Sequence, residues 1–208
     1  MLRHGPARAI VLAATALLLS GCIGIETTVS FGSDGSGTIA MTYRVSQLVT
    51  RLGTAEGEEG GVPLPLSAED FRAAIADAPG VSLVEDVQQR QTEEDVWIEA
   101  KLRFGKVEEL QKVRGFGSSE ATLQRDASGW VYRQLITQGG GDQAAMDAET
   151  LQLVDTLFSG YEVTFVVEAP TPIKSANVGK VDGRTARYSI PVKDLLTMTE
   201  RLVWEVVW

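Results

Sequence analysis

Apolar and polar residues alternate along much of this chain. Ile25, Thr27, Val29 and Phe31 interleave with Glu26, Thr28 and Ser30, the period of a strand with one buried face. Ser33 to Gly37 supplies turn residues, and Ile39, Met41, Tyr43 and Val45 alternate out of it, so the pair reads as a β-hairpin. Val81, Leu83 and Val87 predict another strand, followed by a polar turn near Gln91 to Asp95. Its partner carries Val96, Ile98, Ala100, Leu102 and Phe104 on one face, against Trp97, Glu99, Lys101 and Arg103 on the other. A further hairpin runs from Ala121 and Leu123 through Asp126 to Gly129 into Trp130 and Tyr132. Tyr161 to Val167, Thr185 to Ile190 and Leu202 to Trp208 complete the strands. The last of these is apolar enough that it should pair inside a sheet, because a bare edge of that kind invites aggregation.

Helical spacing appears between the hairpins. Ser67 is a hydroxyl cap, Glu69 and Asp70 follow in the first turn, and Phe71, Ala74, Ile75 and Ala78 form an apolar stripe that Pro79-Gly80 stops. Val45 to Leu52, Val107 to Val113 and Pro191 to Met198 are shorter candidates. Asp142 caps the longest predicted helix, which carries Met146, Leu151, Val154, Leu157 and Phe158 and stops at Gly160. Strand, turn, strand, short helix recurs unevenly. The fold class expected is α+β, an antiparallel sheet built from successive hairpins with helices packed on one face.

The first 22 residues break this pattern. Arg3 and Arg8 precede an apolar run from Ile10 to Leu19, and Ser20-Gly21 then lead into Cys22. That is the layout of a secretory signal peptide. The run is about half the roughly 20 residues of a membrane span. Small residues directly before a cysteine also resemble the lipobox of bacterial lipoproteins. The resemblance implies cleavage between Gly21 and Cys22, diacylglycerol on the Cys22 thiol, and an acyl group such as palmitate on the new amine. Residues 1–21 are then the signal peptide and 22–208 a single envelope domain.

Composition follows from that division. Removing 21 residues leaves 187, and the discarded stretch holds Arg3, Arg8 and no acid, so 17 basic residues face 28 acidic ones, a net charge of −11. Such a surface is repelled by nucleic acid and by anionic headgroups, so acyl chains must supply the attachment. The one histidine, His4, leaves with the signal, and the one cysteine carries lipid. No imidazole or free thiol remains for zinc sites, Ser-His-Asp or Cys-His catalysis, or disulfides. No cofactor is expected.

Glu56, Glu58 and Glu59 sit among glycines and prolines without the spacing of a calcium loop, and read as a solvated excursion. Glu99, Glu162, Glu168 and Asp182 are the carboxylates a cell-wall hydrolase would use, but nothing in their spacing pairs any two. Phe31, Tyr43, Phe104, Tyr161, Phe165 and Trp204 are candidates to line an apolar cavity, with ordinary core packing as the alternative. Trp97 and Trp130 could instead form an exposed face for envelope proteins.

The lipidated cysteine followed at once by an alternating strand, the Asp34-Gly35-Ser36-Gly37 turn and the run Tyr161-Glu162-Val163-Thr164-Phe165 together resemble the LppM-type lipoproteins of bacterial envelopes. Lys174-Ser175-Ala176-Asn177 and Val181-Asp182-Gly183 ahead of the last strands belong to the same pattern. The resemblance implies an α+β domain displayed outside the cytoplasm, binding lipids or glycolipids, with no catalytic residues. The function expected is a non-catalytic lipid- or glycolipid-binding or envelope-maintenance module, with a protein scaffold in the envelope, or a carboxylate-dependent cell-wall hydrolase, as the alternative. In a two-membrane host, Ile23 after the cysteine favours the outer membrane; in a one-membrane host the protein sits on the outer face of the cytoplasmic membrane.

Overall fold

The computed structural model describes residues 23–47, 65–93, 95–113, 120–139, 152, 156, 158 and 160–208. Among these the fold is α+β, mostly antiparallel strands with few helices. Strands β1 (Ile23–Phe31) and β2 (Gly37–Ser46) form the first hairpin, with Ile25 opposite Tyr43 and Phe31 opposite Gly37. Its turn is held by Asp34, whose Oδ1 accepts from the Ser36 amide at 3.1 Å and the Ser36 hydroxyl at 2.7 Å. Those bonds favour the charged carboxylate and hold Asp34 below its ordinary range. Gly37 permits the tight exit, because a Cβ there would overlap the Ser30 carbonyl oxygen and approach the Phe104 ring at 2.7 Å.

Of the strand expected from Val81 to Val87 only β3 (Val81–Leu83) forms, and β4 (Gln88–Gln91) follows it as a separate strand that takes in Gln91 of the expected turn; both pair with β5 (Asp95–Phe104). All four β4 residues are exposed, so this edge strand has no apolar alternation to reveal it. Strands β6 (Ala121–Asp126) and β7 (Gly129–Thr137) form the next hairpin, and Asp126 Oδ1 accepts from the Ser128 amide at 2.7 Å as Asp34 does from Ser36. After β8 (Glu162–Glu168) the connection read as irregular contains two short strands, β9 (Ser175–Ala176) and β10 (Lys180–Asp182). Strands β11 (Thr185–Pro191) and β12 (Leu202–Val207) end the series.

The strands divide between two sheets. The larger has the order β10-β11-β8-β1-β2-β5-β3 with β4 also on β5, and the smaller has β6-β7-β12-β9. All pairs are antiparallel except β1 with β8, which run parallel because the chain crosses over between them instead of turning back in a hairpin. Strand β12 lies between β7 and β9, inside its sheet as its hydrophobicity requires.

Helix α1 (Ala68–Ile75) starts as its sequence predicts: the Ser67 side chain accepts from the Asp70 amide at 3.1 Å, and Asp70 accepts from the Leu66 amide at 3.0 Å. Val107–Lys112 winds as a 3₁₀ helix, and α2 (Val192–Thr197) follows β11 directly. Of the candidate at 45–52, Val45 and Ser46 belong to β2 and Gln47 is helical; positions 48–52 lie outside the described residues, as does the acidic loop with Glu56, Glu58 and Glu59. The long helix predicted from Asp142 also lies outside them, except that Gln152, Thr156 and Phe158 are helical and Thr156 Oγ1 donates to the Gln152 carbonyl at 2.8 Å.

One face of the larger sheet carries Val29, Phe31, Ile39, Leu102 and Phe104 into a core shared with Phe71 and Ala74 of α1, Val107 and Leu110 of the 3₁₀ helix, and Tyr132, Trp204, Val206 and Trp208 of the smaller sheet. The two sheets meet through aromatic rings. Phe31 lies 5.2 Å from both Tyr132 and Trp208, centroid to centroid, and Phe165 lies 6.4 Å from Trp204. The opposite face of the larger sheet is mostly polar, with Val166 buried on it, and is tied by the Arg187–Glu26 ion pair at 2.8 Å and by Ser30 donating to Glu168 at 2.6 Å.

Candidate functional site

The aromatic contacts close the space between the sheets at one end, where β1 finishes. Nearer the start of β1 the sheets and helices leave an apolar cavity of about 230 Å³. Its floor is the inner face of the larger sheet: Ile25, Thr27 and Val29 from β1, Ile39, Met41 and Tyr43 from β2, Val163 and Phe165 from β8. These residues share a face because the registers place Ile25 opposite Tyr43 and Val163, and Thr27 opposite Met41 and Phe165. The roof is Pro65, Phe71, Leu110, Ala121, Tyr132, Gln134 and Leu195, drawn from α1, the 3₁₀ helix, α2 and the smaller sheet together with the residue ahead of α1.

Both phenols in this lining are hydrogen-bonded. The Tyr43 hydroxyl donates to the Pro65 carbonyl, and the Tyr132 hydroxyl donates to Gln134 Oε1 at 2.9 Å. A mostly apolar surface whose phenols already have partners offers dispersion and water exclusion to a guest, with little demand for a polar one. The chemistry that fits is a hydrocarbon chain.

Burial pushes the phenols of Tyr43 and Tyr132 upward from their ordinary 10.0, with the Asp70 charge adding to the effect at Tyr43. Burial also raises Tyr188, helped by Asp194. A folded pKa above the unfolded one means stability that is complete below about pH 10 and lost as the pH rises above it. Urea midpoints should therefore hold level toward pH 10 and fall beyond it. In a phenolate absorbance titration, Tyr43 and Tyr132 should ionise only as the fold opens. Ionisation of all four tyrosines near pH 10 with the circular dichroism unchanged would show that the two rings are not buried.

Of the six aromatics nominated from sequence, Tyr43 and Phe165 line the cavity. Phe31, Phe104 and Trp204 are buried in the packed core beside it. Tyr161 lies against the Arg44 guanidinium, 4.7 Å from its ring, on the polar face. The aliphatic lining at Ile25, Val29, Ile39, Met41 and Val163 went unnominated, although it occupies the inward phase of the same alternation.

The four carboxylates Glu99, Glu162, Glu168 and Asp182 are all exposed on strands of the larger sheet. Glu162 and Glu168 stand six residues apart on one face of β8, about 20 Å by strand rise. Glu168 and Asp182 both pair with Thr185, which sets them about 10 Å apart by strand spacing, on the open face and with Glu168 held by Ser30. Among the described residues no three His, Cys, Asp or Glu side chains gather as a metal site, and no helix is long and apolar enough to cross a membrane. Trp97 is on the polar face of the larger sheet and Trp130 on the smaller sheet beside Gly35, so they share no surface. Gly21 and Cys22 lie outside the described residues.

No protein-family model matches the sequence, and no curated protein matches it. Among solved structures, the chain is similar to the NMR structure of the folded domain of LppM from Mycobacterium tuberculosis, with a TM-score of 0.50 and 9% identity over 88% of this chain and 86% of that one. It also overlays on yeast LTA4 hydrolase in complex with bestatin at a TM-score of 0.34 and 12% identity, covering 90% of this chain but 28% of that enzyme. The first likeness is one of fold alone, and the second is too slight to carry an argument.

Proposed function

We propose that this chain is a bacterial envelope lipoprotein, anchored outside the cytoplasm by acyl chains on Cys22, whose domain binds the hydrocarbon tail of a lipid or glycolipid without catalysing a reaction on it. The apolar cavity carries this reading. At about 230 Å³ it is smaller than the roughly 300–1,000 Å³ of pockets that engulf a drug-sized ligand, so a tail enters and its headgroup stays outside. The likeness in fold to the LppM domain and the lipobox pattern Leu19-Ser20-Gly21-Cys22 support the envelope setting.

The test uses residues 23–208, produced without the signal and so without acylation, and saturated with a bacterial envelope lipid extract. Mass spectrometry should find a co-purifying lipid. Each methylene withdrawn from water contributes about 0.8 kcal/mol, so affinity for a series of single-chain lipids should rise about fourfold per methylene until the cavity is filled. No retained lipid, or affinity independent of chain length, would count against the reading.

A further inference from the structure

Among the described residues, the polar face of the larger sheet carries one group of aromatic side chains, at the end where β1 begins. Register places Arg44, Trp97 and Arg90 in a single cross-strand row on β2, β5 and β4. The Arg44 guanidinium lies 5.5 Å from the Trp97 ring centroid on one side and 4.7 Å from Tyr161 on the other, and Arg90 stacks on Trp97 at 5.3 Å. Tyr161 reaches Arg44 across β1 at Gly24, where any side chain would block it: a Cβ there would stand 3.0 Å from the Tyr161 ring. Tyr161, Arg44, Trp97 and Arg90 thus form a continuous stack across four strands. Elsewhere this face shows Thr28, Ser30, Thr38, Thr42, Glu99, Lys101 and Arg103.

The position of the stack indicates its partner. Cys22 is two residues before Gly24, at most about 7 Å of extended chain. On the reading that Cys22 carries the acyl anchor, this end of the sheet is held at the bilayer surface. Tryptophan, tyrosine and arginine are side chains with an apolar body and a polar tip, suited to the level of the lipid headgroups. We propose that the Tyr161–Arg44–Trp97–Arg90 stack docks in the headgroup region of the bilayer and fixes the orientation of the domain on it. The inner face at the same end holds Ile25 and Val163 of the cavity lining, so docking brings the cavity to the membrane from which its lipid comes.

Charge selects the kind of lipid surface. Arg44 is already paired with Asp95 at 3.7 Å, and Glu162 and Glu99 lie on the same face. The stack therefore has little net positive charge, and the attraction comes from burying aromatic surface. Zwitterionic lipid should suffice, and salt should have little effect.

The experiment rests on tryptophan emission from the acylated, mature chain in phosphatidylcholine vesicles whose acyl chains carry bromine, a contact quencher. Of the four tryptophans, Trp204 and Trp208 are in the core, and Trp130 is beside Gly35 at the far end of β1. Emission should be lower than in bromine-free vesicles, and equally so in low and high salt. Trp97→Phe should abolish the difference, and Arg90→Glu, at an exposed position, should remove most of it while the near-ultraviolet circular dichroism is kept. Absence of quenching in a chain that floats with the vesicles and shows diacylglycerol on Cys22 by mass spectrometry would overturn the docking and leave the anchor standing. Quenching that survives Trp97→Phe would overturn it too. A chain without lipid on Cys22 that fails to float would sink anchor and docking together.

Discussion

Trp204→Ala is expected to remove about 3–5 kcal/mol of folding stability, the range for deleting a buried large aromatic. Trp204 has no exposed surface and stands where the sheets meet. Its ring packs against Tyr132 at 6.5 Å edge-on, Phe165 at 6.4 Å and Tyr188 at 6.5 Å. Its indole Nε1 donates to the Val178 carbonyl at 3.1 Å, so truncation also leaves that acceptor without its partner. Most domains have only 5–15 kcal/mol in total, so the variant should sit near its unfolding threshold at room temperature. Urea denaturation checks this directly. Trp204→Phe should lose less, since a ring still bridges the sheets while the indole bond is gone. A loss below about 1 kcal/mol for the alanine variant would mean that the sheets are held together elsewhere.

The same contact shows what was legible in the sequence. Alternation along β5, with Val96, Ile98, Ala100, Leu102 and Phe104 buried, states which face of a strand is inward, and it did so correctly. Turn chemistry was equally readable at Asp34 and Asp126, where a carboxylate two residues before a serine bonds both its amide and its hydroxyl. Alternation does not say which strands are neighbours. The separation of β6, β7, β9 and β12 into a second sheet, and the parallel pairing of β1 with β8, depend on long-range connections that no local period encodes. Nor does it give depth. Phe31 and Phe165 both point inward from neighbouring strands of one sheet, yet one is packed against Tyr132 and Trp208 while the other faces the cavity, because the distance between layers varies along the strands. Tyr161 was misplaced for a different reason. It precedes β8, which begins at Glu162, so the phase of the strand does not extend to it.

The site follows from the same variation. Where Phe31, Phe104, Tyr132 and Trp208 meet, large rings fill the space between the layers. Toward the start of β1 the lining mixes the smaller Ile25, Thr27 and Val163 with Tyr43 and Phe165, and the space between the layers is left open. A cavity in a protein persists when its lining is held apart by structure that cannot collapse into it. Here the two sheets are braced by the aromatic cluster at one end, and α1 and the 3₁₀ helix roof the other with Phe71 and Leu110.

Cys22→Ser is expected to move the protein from the membrane to the soluble fraction, the largest functional effect of any single replacement. Two acyl chains of about 16 carbons bury on the order of 25 kcal/mol at about 0.8 kcal/mol per methylene, which holds a protein stably, whereas one chain gives only reversible binding. On the proposed processing, the chain from residue 22 onward carries a net charge of −11, which anionic lipid repels, and the run from Ile10 to Leu19, with nine apolar residues of ten, is half the length a span requires. Partly buried Tyr161 and Trp97 would contribute at most a few kcal/mol, enough to orient an anchored domain and too little to retain a free one. Fractionation of cells carrying the serine variant, with the processed length of the chain determined by mass spectrometry, checks the result. Recovery of the variant in the membrane fraction, cut before residue 22, would refute anchoring through this cysteine and would assign retention to the domain itself.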